Sequence, residues 1–232
     1  MAAPELIAPG VYRVDAVRFR NFVNVLLLEN DDGWTLVDTG VAGSVGRIQE
    51  AITALGSGPG ELKRIFVTHQ HDDHTGGLSG LLEWAPGAEV GASAHEAEVV
   101  SGGRGMDPPS SPVFRYLARN TEPPEVPVGK VLKEGDLVSG FRIVSTPGHT
   151  RGHVSLLRDA DGLMFTADAF GCLPRRIRVG VRRFLCNDPP LAKRSAEKLL
   201  AEGFATVVMS HGPILRSGAR TKLREAVERC GY

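Results

Sequence analysis

Apolar residues fall in short runs separated by polar turns, and these runs alternate with stretches of helical periodicity. Val11–Val17, Val23–Glu29 and Trp34–Asp38 read as strands, the last two flanking Asn30-Asp31-Asp32-Gly33, a four-residue hairpin signal. Ser44 is placed as the N-cap of a helix whose apolar face is Ile48, Ala51, Ile52 and Leu55, at i, i+3, i+4, i+7 spacing. Ile65–Thr68 is a buried-looking strand, followed by a helix over Gly77–Trp84 and a short strand near Val90.

Ser101–Gly129 breaks this rhythm. Gly102, Gly103, Gly105 and six prolines from Pro108 to Pro127 bracket one helical stretch around Phe114–Arg119, the composition of a surface excursion or a functional lid. Strands resume at Leu137-Val138, Phe141–Thr146, Val154–Arg158 and Leu163–Ala167. Asp188 followed by Pro189 is an N-cap with proline at N1, opening a helix through Leu200. Val207–Ser210 reads as a last strand and Ala219–Cys230 as a closing helix. Each half thus carries several strands followed by helices, a pattern that suits two sheets packed face to face with helices outside. No linker composition divides residues 1–232, so one domain is expected.

Composition narrows the function classes. The 27 basic and 27 acidic side chains cancel, so no overall field favours nucleic acid or an anionic membrane. Met1–Gly10 has no apolar core of a secretory signal, and no apolar run approaches the ~20 residues that span a bilayer. Cys172, Cys186 and Cys230 are odd in number and lack CxxC spacing, which argues for a reducing, cytoplasmic setting.

The chemistry lies just beyond the buried strands. Ile65–Thr68 runs into His69-Gln70-His71-Asp72-Asp73-His74, and Phe141–Thr146 into Pro147-Gly148-His149. Leu163–Ala167 ends at Asp168, and Val207–Ser210 ends at His211. Five of the seven histidines fall in these places. In an extended loop His69 and His71 point the same way, and a turn into the helix after Gly76-Gly77 lets Asp73 and His74 face a second point nearby. Neutral imidazole and carboxylate suit a borderline divalent ion such as zinc. A lone HxH specifies little, whereas HxHxDH after a strand, followed in order by PGH, a strand-end Asp and a strand-end SHG, specifies a metal site.

With these motifs the chain resembles the metallo-β-lactamase superfamily over nearly its whole length. Leu36-Val37-Asp38-Thr39-Gly40 is similar to the family's first motif, His69–His74 to HxHxDH, Pro147–Thr150 to the third, Asp168 to the fourth and His211 to the fifth. The resemblance implies a four-layer αββα sandwich. It also implies two metal ions, zinc first and iron or manganese as alternatives. His69, His71 and His149 would hold one, Asp73, His74 and His211 the other, and Asp168 would bridge them. Asp38 is then expected to support the metal loop from behind.

The implied reaction is attack of a metal-bridging hydroxide on an ester, thioester or lactone carbonyl of a small molecule, with Asp73 orienting the nucleophile and passing on its proton. Asp168 resembles the glyoxalase II-like thioesterases, lactonases and tRNA-processing nucleases rather than the antibiotic-degrading zinc enzymes, which typically lack an aspartate there. With 21 residues after His211, glyoxalase II's glutathione-gripping helical domain is not expected. Two alternatives remain: an iron-dependent oxygenase resembling the persulfide dioxygenases, and a phosphodiesterase or nuclease of the same fold, which zero net charge disfavours.

Three further groups carry weaker expectations. His153 reads as structural or as support for a ligand, and His95 as a surface residue. Arg175, Arg176, Arg178, Arg182 and Arg183 form a run that is ordinarily a solvated face; near a metal cleft, some of them would suit an anionic part of the substrate. Ser101–Gly129 and Ala169–Leu185 are the candidate substrate walls.

Overall fold

The computed structural model describes residues 4–173 and 175–231, so Met1–Ala3 of the N-terminal stretch and Pro174 of the Ala169–Leu185 wall lie outside the described residues. Its contacts divide into two compact units. Unit 1 runs to Arg104 and includes Pro123–Leu132; unit 2 comprises Gly105–Glu122 and the chain from Lys133 onward.

Unit 1 is built on a seven-stranded sheet whose spatial order follows the chain. Its strands are β1 (Glu5–Ala8), β2 (Val11–Asp15), β3 (Asn24–Asn30), β4 (Gly33–Val37), β5 (Leu62–Val67), β6 (Glu89–Ser93) and β7 (Lys130–Leu132). The first four pair antiparallel; Asn30 pairs with Gly33, so Asp31 and Asp32 alone form the β3–β4 hairpin loop. From β4 onward the pairing is parallel. A parallel partner demands a crossover, and helices supply it. α1 (Val45–Ala54) joins β4 to β5, while α2 (Asp72–Thr75) and α3 (Leu78–Trp84) join β5 to β6. α4 (Ala94–Val100) follows β6. The apolar face of α1, with Ile48, Ala51 and Ile52, packs with Leu36, Ile65, Val67, Leu78 and Leu81 into one core. Ser44 does not cap α1 with its side chain. Its own backbone is already helical, because a 3-10 turn at Ala42–Ser44 precedes the helix.

Unit 2 carries a five-stranded sheet in the order β14-β11-β10-β9-β8. These are β8 (Leu137–Val138), β9 (Phe141–Ser145), β10 (Val154–Arg158), β11 (Leu163–Phe165) and β14 (Thr206–Val208). A separate two-stranded ribbon, β12 (Phe170–Cys172) with β13 (Ile177–Val179), has no counterpart in the sequence reading. α5 (Pro112–Leu117) is the helix inside the proline-rich excursion, α6 (Pro189–Ala201) opens on Asp188, and α7 (Ala219–Glu228) closes the unit. Asp188 accepts the Leu191 amide at 2.9 Å, as an N-cap should. Ala192, Ala196 and Leu199 of α6 and Leu223 of α7 meet Val144, Leu157, Met164 and Val207 of the sheet in the second core.

Strand direction now places the chemistry. β9 and β11 each pair antiparallel with β10, so they run the same way, and β14 is parallel to β11. Phe165 pairs with Val208, and Asp168 and His211 each come three residues later. His149 follows the end of β9. All three therefore leave the same edge of the unit 2 sheet. In unit 1, Val37 pairs with Phe66 in parallel register, so Asp38 and Thr68-His69 leave one edge together.

Candidate functional site

In unit 1 the HxHxDH segment is held by the Asp38 carboxylate. Asp38 is fully buried and sits in the left-handed region at φ 62°, a conformation that aspartate tolerates better than most residues. It accepts the Thr68 amide and the Thr68 hydroxyl, each at 2.8 Å, and faces His74 Nδ1 at 2.8 Å. These bonds dictate ring chemistry. With Nδ1–H donated to Asp38, the neutral His74 ring carries its lone pair on Nε2. The Thr68 hydroxyl spends its proton on Asp38, so its oxygen accepts from His69 Nδ1 at 3.2 Å, which puts the lone pair of His69 on Nε2 as well. His69 Nε2 stands 3.1 Å from His71 Nδ1. The expected support by Asp38 is thus a direct hydrogen bond to one candidate ligand and, through Thr68, to a second.

The helix expected after Gly76-Gly77 is α3, and a further turn not expected from the sequence precedes it. This turn, α2, begins at Asp72, because His71 is extended and its carbonyl accepts the His74 and Thr75 amides. Asp73 and His74 therefore lie within the first turn, with Asp73 Oδ1 3.8 Å from His74 Nε2. The adjoining Asp72 carboxyl is pushed up by burial and by the Asp73 charge. Thr39 fastens the other end: its amide and hydroxyl donate to the His74 carbonyl at 2.7 and 2.8 Å.

In unit 2, two imidazoles converge on one carboxylate oxygen. Asp168 Oδ2 lies 3.3 Å from His149 Nε2 and 3.4 Å from His211 Nε2, and all three side chains are at most 6% exposed. His149 is lifted to a pKa of about 9: burial disfavours its charged ring, but hydrogen bonds to Asp168 and Cys186 outweigh that. The PGH turn leaves room only for glycine. Gly148 has φ 127°, and a Cβ there would clash with the Ala192 backbone near the start of α6.

His153 is the support the sequence allowed it to be. Its Nε2 accepts the Asp168 amide at 3.1 Å, so Nδ1 bears the proton and donates to Thr146 Oγ1 at 2.8 Å. The Ser155 hydroxyl donates to the Thr166 carbonyl at 3.0 Å, which leaves its oxygen to accept from Thr146 at 3.1 Å. This neutral relay is fully buried and fixes the backbone of Asp168. Cys186 was missed by sequence reasoning: its buried sulfur is 3.7 Å from His149 Nδ1, and a lone cysteine 37 residues downstream gives no signal of that contact. His95 is half-buried on α4.

The proline-rich excursion is tied to the His149 segment. Asp107 accepts the Arg151 amide at 2.7 Å, the Pro108 carbonyl accepts Asn187 Nδ2 at 2.8 Å, and the Ser110 amide donates to Cys186 O at 2.8 Å. Phe114 of α5 stacks on Phe184 with centroids 4.3 Å apart.

Imidazoles and carboxylates with lone pairs directed by buried partners are a donor set suited to divalent metal. A model of the metallo-β-lactamase superfamily matches residues 18–211. The chain belongs to that superfamily, a family of metal-dependent hydrolases. Among relatives, it is 27% identical over 223 residues to the uncharacterized protein YobT of Bacillus subtilis, covering 89% of this chain and 90% of YobT. A hydroxyacylglutathione hydrolase of Hahella chejuensis is 27% identical over 183 residues, 77% of this chain but 56% of that protein, so the chain spans little more than half its length. A solved metallo-β-lactamase of Cronobacter sakazakii with a HARLDQ motif superposes with a TM-score of 0.70 at 24% identity, covering 99% of this chain and 92% of that one. The fold is therefore the metallo-β-lactamase fold, and no described helix is long and apolar enough to cross a membrane.

Proposed function

We propose that the chain is a dinuclear metallo-hydrolase acting on an ester, thioester or lactone carbonyl of a small molecule. His69, His71 and His149 would hold one ion and Asp73, His74 and His211 the other, with Asp168 a carboxylate that both would share. The observation that carries this reading is the approach of His149 and His211 to the same Asp168 oxygen, the disposition expected of a shared carboxylate with a ligand on either side. Two divalent ions, zinc by the borderline character of the imidazole and carboxylate donors, would supply the chemistry when bound, lowering the pKa of water toward ~7 and polarising the carbonyl.

The side chains do the rest. Asp73, 34% exposed and so open to solvent, orients the attacking water and takes its proton. Asp38 and His153 hold His74 and Asp168 in position. The strap from Asp107 to Ser110, fixed to the residues around His149, supports the reading of α5 as a substrate wall. Free Cys172, Cys186 and Cys230 fit a reducing compartment such as the cytoplasm.

Elemental analysis of the purified chain should find about two ions per molecule. Asp168→Asn and His211→Ala should each retain the fold while lowering hydrolysis of ester and thioester panels on the order of 10³-fold. A protein with one ion, or variants that hydrolyse as the parent does, would sink the proposal.

A further inference from the structure

Unit 2 holds a concave site that the hydrolytic reading does not use. A recess of about 320 Å³ opens between β13 and the C-terminal end of α7, within the size range of small-ligand pockets. Arg176, Arg178, Arg183 and Arg229 line it, and Ile177 and Cys230 are among its apolar neighbours. Of its nine described lining residues four are arginine and none is acidic, and none is a candidate metal ligand.

A run of arginines on an open face is normally dispersed over it. Here the exposed Arg176, Arg183 and Arg229 and the half-buried Arg178 line one recess, Arg229 following the end of α7, 51 residues beyond Arg178. Arg178 is held in place, its Nη1 donating to the carbonyls of Leu173 at 2.6 Å and Arg176 at 3.2 Å. Arg229 spends one nitrogen on Glu225 at 3.2 Å, which leaves most of its planar fork for another acceptor. Like charges gathered around a concave, partly apolar surface focus a positive potential, and guanidinium forks match phosphate and carboxylate in geometry.

We propose that this recess binds a small organic dianion, a phosphate or dicarboxylate with an apolar body, at a site separate from the metal ligands. The arginines take the charge, and Ile177, Val179 and Ala226 seat the body.

Phenyl phosphate, phthalate and neutral phenol are suitable probes, titrated by calorimetry into the full chain with its metals and again after chelation. Both dianions should bind and phenol should not, with affinity unchanged by metal removal; whichever dianion binds more tightly identifies phosphate or carboxylate as the preferred head group. The Arg176→Gln/Arg229→Gln double variant should weaken binding about tenfold or more, and the matching Lys pair should recover part of it. In the unaltered protein, phenyl phosphate should also protect Arg176 and Arg183 from an arginine-specific dicarbonyl reagent. Failure of both dianions to bind, binding indifferent to the arginine changes, or binding lost with the metals would overturn the proposal. Hydrolysis is not the readout, so this outcome is independent of the assignment of the metal centre.

Discussion

The two units prepare their metal-ligand candidates in opposite ways. Unit 1 takes four from one six-residue segment, His69–His74, after a single strand, and anchors them with a buried charge, Asp38. Unit 2 collects three from three separated strand ends, and aligns Asp168 with a neutral relay through His153, Thr146 and Ser155. A contiguous loop needs one strong clamp, because its members are already neighbours in the chain. Dispersed residues need strand register first, and then only local trimming. The difference predicts that disturbing the turn and the relay behind the unit 2 candidates costs fold, whereas disturbing the clamp behind the unit 1 candidates costs metal.

The largest effect should come from Gly148→Ala. The added methyl has no space beside Ala192 and the backbone conformation is hostile to any side chain, so unit 2 should lose about 3 kcal/mol or more of stability, read as a lowered melting temperature and poor recovery of folded protein. A variant as stable as the parent would mean that the turn relaxes freely and that register does not depend on it.

Next comes Asp38→Asn. Asparagine also tolerates the left-handed backbone and can still accept from Thr68, so the fold should survive, but the charged acceptor for His74 is gone. Metal affinity should fall by roughly 10- to 100-fold in a chelator competition, with little change in melting of the metal-free chain. Equal metal affinity in parent and variant would remove the clamp from the account of unit 1.

His153→Ala should be milder for metal and harsher for stability. It strands the buried Asp168 amide and removes the donor to the Thr146 oxygen, at roughly 1–3 kcal/mol. If it released metal as readily as Asp38→Asn without any loss of stability, the contrast between the units would fail. The smallest effect belongs to Cys186→Ser. The sulfur is 3.7 Å from His149, a long contact, so metal binding should change by about threefold or less in the same competition.

Much of this was readable from the chain. Strand-end ligands were legible because strands deliver residues at their termini whatever their neighbours, and HxHxDH encodes its convergence in spacing alone. The PGH turn and the Asp188-Pro189 cap were legible for the same local reason. Local reasoning failed where a residue's fate depended on what came before or on the far side of a fold. Ser44 loses its capping role to a preceding 3-10 turn, and the extra turn α2 forms ahead of the expected helix because His71 is extended. Strands β12 and β13 are three residues each, too short for any periodic signal.

The sequence alone determined the family, the order of strands and helices, and which imidazoles and carboxylates are candidates for metal, since these follow from patterns spanning only a few residues. Tertiary structure alone decided the partners: Asp38 on His74 across 36 residues, His153 on Asp168 across 15, Cys186 on His149 across 37, and the arginine recess between β13 and α7. The physical reason is that hydrogen bonds and cavities depend on distances in space. A chain fixes those distances only after its strands have chosen their neighbours.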